Sequence, residues 1–371
     1  MRALRFRMFA HSWTSDWNHG NAHFLRGLAY ELSKLGNEVR CYEHVNSWSR
    51  AHLEGEGPDI ARTAVQQFYN YFAGLTVRPF VFDDTFEQFA IKELTDADVV
   101  IIHEWSPPHL VNSILSLSPR LGFKTIFHDT HHRAYTAPQE MRRIRLHQFD
   151  GVLAFGESIR RIYSEAFGLQ HVWTFHEAAD AAHFQPRCRQ ASNDVIWIGN
   201  WGDEERTREL EEFLISPAER LGDSKVVVYG VRYPPEAVQR LSRAGIQYRG
   251  YLPNLQTPEA YGESLLALHV PRRFYANGLS GIPTIRVFEA LACGIPLLCA
   301  PWTDAEELFT PGLDYLVAPD GQAMQSEIRQ LLSDDNARRQ MAAYGLKTIR
   351  EKHTCLHRAH QLLDICEEIT R

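Results

Sequence analysis

Short apolar runs alternate with stretches of helical periodicity along most of the chain. Leu4–Ala10 is a run that interleaves Arg5 and Arg7 with apolar residues, and the polar loop HSWTSDWNHGN follows it. His23–Lys34 then repeats apolar positions through Phe24, Leu28 and Leu32 and is closed by Gly36, the pattern of an amphipathic helix with its stop signal. With Val39–Tyr42 as the next run, the chain opens as strand, loop, helix, strand, the first unit of a parallel α/β sheet. The runs DVVIIH (Asp98–His103), FKTIF (Phe123–Phe127) and GVLAF (Gly151–Phe155) fit strands buried on both faces.

Periodicity lapses from Glu177 to Asn193, where a proline and small polar residues mark a domain boundary. A second series begins with the expected strand Val195–Ile198, a helix through Leu210, Phe213 and Leu214, and the strand Lys225–Tyr229. It continues with a helix Ala237–Arg243, a strand Gln247–Tyr251, a helix Pro258–Leu265, and the strands Leu266–Val270 and Ile295–Cys299, and Pro319–Arg371 reads as helical. The expected fold is α/β, two Rossmann-like parallel domains facing a central cleft. Their expected bounds are 1–180 and 181–350, with a C-terminal helix over 351–371 packing back across the junction. In such sheets ligands bind outside the carboxyl ends of the strands, so the loops that follow strands are where chemistry is expected.

Composition narrows the function classes. The 371 residues exceed one ordinary core, and 44% hydrophobic with 23% charged residues is the balance of a soluble globular protein. A formal charge of −7 gives no general attraction to nucleic acid. No apolar run approaches the roughly 18–20 residues needed to span a bilayer. Six scattered cysteines without CxxC spacing, and an N-terminus lacking a secretion pattern, lead us to expect reduced thiols and a cytoplasmic location. Oligomeric state leaves no trace in the pattern.

One segment breaks the rule that apolar helices exclude charge. GIPTIRVFEALACGIPLLCAPW (Gly281–Trp302) carries Arg286 and Glu289 on one helical face, where they need each other or a ligand. The stretch RVFEALACGIPLL resembles the carboxy-terminal signature of glycosyltransferases with the GT-B fold, of the group 1 class, family 4. The spacing of Gly20, Leu28, Ala29, Leu32, Gly36, Glu38 and Val39 is similar to that class's first loop and helix, and GNWGDEER (Gly199–Arg206) and RGYLPN (Arg249–Asn254) stand where it keeps nucleotide-contacting loops. HDTHHR, GNWGDEER, RVFEALACG and HTCLHR look closest to the spore-maturation-like (CgeB-like) branch.

The resemblance implies a transferase that moves a sugar from a nucleotide-diphospho-sugar donor, bound by the second domain, to an acceptor, a small molecule or glycan, bound by the first. The nucleotide-sugar is a substrate, and no cofactor or metal is expected. On this reading Glu289 accepts from the ribose hydroxyls, as suits an acceptor-only carboxylate, and Arg286 approaches the diphosphate or orients Glu289. The bland alternative is an intrahelical ion pair. Gly199, Asn200 and Gly202 follow a strand and precede a helix, so their N–H groups could approach a phosphate, with Arg206 stabilising the leaving diphosphate. The alternative there is an ordinary strand-helix turn with Arg206 in solvent. Tyr251 and Leu252 would flank the base. In the first domain His128, where the family keeps a histidine near the reacting sugar, and Asp129 are candidate catalytic residues. His103, Glu104, His131, His132 and Arg133 are candidate acceptor contacts.

Two departures from the family pattern stand out. Its earlier glutamate, eight positions before the ribose-binding one, falls on Gly281, so Asn277 or loop backbone would have to supply contacts to the sugar, and Arg273 of the same loop is a further candidate donor contact. Asn21 follows Gly20 where inverting enzymes place a base, leaving Asp16, His19 or His11 for that role and favouring retention. Adjacent His131 and His132 are poor partners for one zinc ion, and the DAD triplet Asp96–Asp98 precedes its strand and reads as a helix or turn cap. QEMRRIRLH (Gln139–His147) could touch an anionic membrane weakly, a solvated face being the preferred reading. A sugar-nucleotide epimerase, a phosphorylase and a non-catalytic binding protein remain the alternatives on this architecture.

Overall fold

The computed structural model describes residues 2–202 and 204–370. Asp203, within GNWGDEER, lies outside the described residues. The chain forms two compact units, Met1–Glu177 with Cys355–Arg371, and Ala178–Thr354.

The strands of the first unit are β1 Arg5–Phe9, β2 Glu38–His44, β3 Thr76–Phe80, β4 Val99–His103, β5 Lys124–Asp129, β6 Gly151–Ala154 and β7 Val172–Thr174. They form one sheet in the order β3-β2-β1-β4-β5-β6-β7, parallel throughout. β4 is buried along its whole length, His103 at its end included, as a central strand covered by helices on both faces must be. The second unit contains β8 Asn193–Ile198, β9 Val226–Tyr229, β10 Gln247–Tyr248, β11 Ser264–His269, β12 Leu297–Cys299 and β13 Leu316–Val317, again parallel, in the order β10-β9-β8-β11-β12-β13. Its core joins Val195, Trp197, Val228, Leu266 and Leu268 of the sheet to Leu210, Phe213, Ile328 and Leu331 of the helices.

Both sheets reverse direction at their centre. The chain lays down β1, β2 and β3 outward and returns to place β4 on the other side of β1, and it repeats this with β8, β9, β10 and β11. The carboxyl ends of β1 and β4, and of β8 and β11, are therefore the switch points where such sheets open to ligand.

The final helix, Cys355–Thr370, belongs to the first unit. Its Arg358 Nε donates to the His176 carbonyl at 2.8 Å and its Gln361 to the Thr174 carbonyl at 2.9 Å. Asp96 and Asp98 are not caps, as the DAD triplet had suggested. Asp98 accepts from the Arg5 N–H at 2.8 Å and from Arg2 at 2.7 Å, and Asp96 pairs with the buried Arg7 at 2.8 Å. Charge on the first strand needs partners, and these two carboxylates at the amino end of the sheet supply them.

Candidate functional site

Three loops interlock at the carboxyl end of the second sheet. Gly199, directly after β8, donates its N–H to the Tyr229 carbonyl at 2.9 Å, and its own carbonyl accepts from the Tyr233 hydroxyl at 2.8 Å. Gly230, at φ +154°, donates to the Gly250 carbonyl at 2.9 Å, and a Cβ there would stand 1.9 Å from the Gly199 oxygen, so only glycine fits. The loops after β8, β9 and β10 are thereby tied together, which brings Asn200 and Gly202 to the same sheet end as Tyr251 and Leu252. One expectation changes: the Gly199 amide is engaged within the fold, and a Cβ at Gly199 would strike the Trp197 ring at 2.5 Å. This glycine serves close packing. Asn200 Oδ1 likewise accepts from the Val231 N–H at 3.0 Å.

Arg206 lies on the helix Glu204–Leu210, with its guanidinium 5.2 Å from the Trp197 ring centroid and donating to the Val270 carbonyl. Burial lowers this guanidinium to about 10, and the Arg272 charge adds to the effect against the opposing pull of Tyr233. The solvated alternative is thus replaced by a partly buried arginine held under a strand end. Beside it Gly202 turns the chain at φ +79°, and a Cβ there would meet Arg206 Cβ at 3.0 Å and Arg272 Nη1 at 3.9 Å. Of the two neighbouring arginines it is Arg272 that faces this turn. Arg273, the expected one, pairs with Glu209 and donates its N–H to Glu205 Oε1 at 2.6 Å, which fastens the loop to the helix. Asn277 is exposed in the π-helical turn Phe274–Gly278.

The helix Ile285–Ala292 buries every residue except Arg286, which is partly covered. Arg286 pairs with Glu289, whose side chain is 0% exposed. The ion pair considered for this helix is therefore present, with its carboxylate inside the protein. A carboxylate so placed is costly unless its partners are fixed, and a ribose diol could share them. At the head of the helix, Thr284 Oγ1 lies 2.9 Å from His269 Nε2. His269 ends β11, and neither periodicity nor motif spacing had singled it out. It is 3% exposed, its Nδ1 has no hydrogen-bond partner among the described residues, and burial together with the charges of Arg206 and Arg286 lowers its imidazole to about 3. Both arginines thus converge electrostatically on one strand-end histidine. The missed signal was that SLLALH, like DVVIIH, ends an apolar run on histidine.

The departure at Gly281 has a structural counterpart. Gly281 adopts φ +89°, and a Cβ there would stand 2.9 Å from Glu306 Cγ and 3.3 Å from its Oε1. A carboxylate from the loop after β12 therefore lies against the position where the family keeps its earlier one.

In the first unit, histidines gather at the strand ends. The rings of His11 and His19 are 4.0 Å apart, His103 lies 5.7 Å from His11, and His128 lies 5.7 Å from His103. His11 Nδ1, both nitrogens of His19 and His128 Nε2 are buried without a hydrogen-bond partner among the described residues. Burial lowers His128 to about 3, so its ring is neutral at physiological pH. Asp129, next along β5, is raised by burial, and its carboxylate accepts from the Tyr163 hydroxyl at 2.5 Å and the His131 N–H at 2.9 Å. Those bonds make it an anchor for the HDTHHR loop. Asp16 is buried in an ion pair with Arg26 at 2.9 Å. Glu104 pairs with Arg133, while burial and the Asp129 charge raise its carboxyl against that pairing.

Among the described residues no group of three or more His, Cys, Asp or Glu side chains could hold a metal ion, and no helix is long and apolar enough to cross a membrane. Arg142, in the basic segment, lies 4.9 Å from the Phe167 ring centroid.

Comparison with known proteins places this geometry. Residues 206–364, which hold Arg206, His269, Arg286 and Glu289, match the family described as "Glycosyl transferase-like". The structure of Anabaena Alr3699/HepE in complex with UDP-glucose superimposes with a TM-score of 0.72 over 98% of this chain and 100% of that one, at 12% identity. A glycosyltransferase from Rickettsia africae gives 0.67 over the full length of both at 11% identity, and an alpha-glucosyltransferase in complex with UDP and a 13-mer DNA gives 0.69 over the full length of both at 13%. The fold is that of GT-B glycosyltransferase structures, and the likeness to the glycosyl transferase-like family extends over residues 206–364. Among curated proteins, the O-antigen chain mannosyltransferase B of Escherichia coli is 32% identical over 119 residues, which take in 31% of this chain and 29% of that protein.

Proposed function

We propose that this protein transfers a sugar from a nucleotide-diphospho-sugar to a hydroxyl acceptor, with the donor bound by the second unit and the acceptor by the first. The observation that carries this reading is the placement of two arginines at the carboxyl end of β11: Arg206 donates to the Val270 carbonyl, and Arg286 stands on the helix whose Thr284 lies 2.9 Å from His269, paired there with Glu289. Two guanidiniums at a switch point suit a diphosphate, and they act most strongly where the leaving charge develops in the transition state. In this assignment Arg206, with Arg272 beside it, holds the diphosphate, Glu289 takes the ribose hydroxyls, and Tyr251 and Leu252 flank the base.

Glu306, against Gly281, takes the part of the family's earlier carboxylate toward the donor sugar. His128 faces the reacting sugar. Retention of configuration is favoured because Asn21 cannot act as a base and Asp16 is held by Arg26. The chemistry assigned here needs no metal, since guanidiniums supply the positive charge, and EDTA should leave turnover unchanged. The finer placement in the spore-maturation-like branch rests on HDTHHR, GNWGDEER, RVFEALACG and HTCLHR.

The test is incubation with a panel of UDP-, GDP-, ADP- and dTDP-sugars, with and without added glycans and glycosides. Nucleotide release stimulated by an acceptor is expected. Interconversion of a sugar nucleotide without acceptor would instead identify an epimerase, and binding without either reaction a non-catalytic protein.

A further inference from the structure

The loop after β4 carries a residue that the reading so far leaves unused. Trp105 is 41% exposed. The Arg133 guanidinium lies 4.0 Å from its ring centroid, and Arg133 is itself fixed by the fully buried Glu104. The ring of His131 lies 4.9 Å away and that of His11 6.4 Å away, so the indole stands at the margin of the histidine cluster. A large aromatic surface held open to water at a strand-end switch point offers a stacking face.

The His11 ring at this margin and the His19 ring 4.0 Å beyond it carry nitrogens without a hydrogen-bond partner among the described residues: Nδ1 of His11 and both nitrogens of His19. Buried polar groups without partners are expensive, and a ligand that supplies those partners recovers the cost. Each neutral imidazole offers one donor and one acceptor, which matches hydroxyl groups, since these do both. An anionic ligand would find guanidiniums already paired here, Arg133 with Glu104 and Arg26 with Asp16.

We propose that Trp105 and the imidazoles of His11 and His19 form a subsite for an uncharged pyranose ring of the acceptor, the indole stacking on the sugar's C–H face and the imidazoles meeting its hydroxyls. The proposal deepens the transferase reading and rests on its assignment of the acceptor to the first unit.

The test is saturation-transfer NMR on the whole protein with methyl α-glucoside, methyl α-mannoside and methyl β-galactoside as probes, and glucose 6-phosphate as the anionic counterpart. Wild type, Trp105→Ala, Trp105→Phe and His19→Gln are compared, each also titrated with UDP, GDP, ADP and dTDP. At least one methyl glycoside should bind wild type, weaken about fivefold or more in Trp105→Ala, and be largely retained in Trp105→Phe, with nucleotide affinity the same in all. His19→Gln should weaken the same glycoside while leaving the melting temperature near that of wild type.

Failure of every glycoside to bind, equal binding by Trp105→Ala, or stronger binding of glucose 6-phosphate would overturn the subsite. Nucleotide binding without glycoside binding overturns the subsite alone, whereas absence of all nucleotide binding counts against the donor assignment.

Discussion

The two sheets offer ligands opposite chemistries at equivalent places. At the carboxyl ends of β1, β4 and β5 the first unit gathers imidazoles that burial keeps neutral, and the arginines beside them, Arg133 and Arg26, each pair with a buried carboxylate, Glu104 and Asp16. At the corresponding ends of β8 and β11 in the second unit, Arg206 and Arg286 act on the neutral His269, and Arg272 lies beside Arg206. One topology thus serves two tasks, because the strand-end loops and not the sheet decide whether a site suits hydroxyls or a diphosphate.

The largest effect should come from removing the charge under β11. Arg206→Ala is expected to lower turnover by about 10²–10³-fold with a much smaller change in donor affinity, since its partner charge grows toward the transition state. Single-turnover rates measured beside calorimetric donor titrations separate the two, and equal losses would remove Arg206 from the leaving-group role. Glu289→Gln, which keeps the shape while giving up the charge, should weaken nucleotide binding by about 10–100-fold. Unchanged affinity for every nucleotide would reduce Glu289 to a structural partner of Arg286. A smaller, more selective effect is expected at Glu306: Glu306→Ala should leave free nucleotide binding intact and reduce discrimination among donor sugars by about tenfold.

The smallest effect is on stability. His128 and His269 are buried with their pKa lowered to about 3, below the ordinary 6.5, so the unfolded chain takes up protons that the folded chain refuses. Their contribution is complete above pH 6.5 and is lost as the pH falls from there toward 3, at no more than about 1.4 kcal/mol per pH unit for each. Melting temperatures at pH 7, 6 and 5 should fall steadily, and His269→Gln should flatten that fall.

Much of this contrast is legible in the sequence, and what is not has physical causes. Strands such as DVVIIH and VIWI announce themselves because both faces are covered. β3 does not, since it is an edge strand with Pro79 and mostly exposed side chains. The expected strand Gln247–Tyr251 stops at Tyr248, because Gly250 at φ +72° turns the chain. Arg206, Arg286 and Glu289 could be named because their neighbours resemble a known signature. His269, Glu306 and Trp105 could not, since each acquires its setting only when strands and loops distant in sequence are brought side by side. The choice between Arg272 and Arg273 depends on the register of one turn, which spacing does not determine.

The central claim is that the second unit grips the nucleotide end of the donor. Hydrogen exchange of the whole protein, with and without the nucleotide that binds it most tightly, tests this directly. The account predicts slowed exchange in residues 199–206, 249–254 and 284–292. Protection confined to the first unit would contradict it.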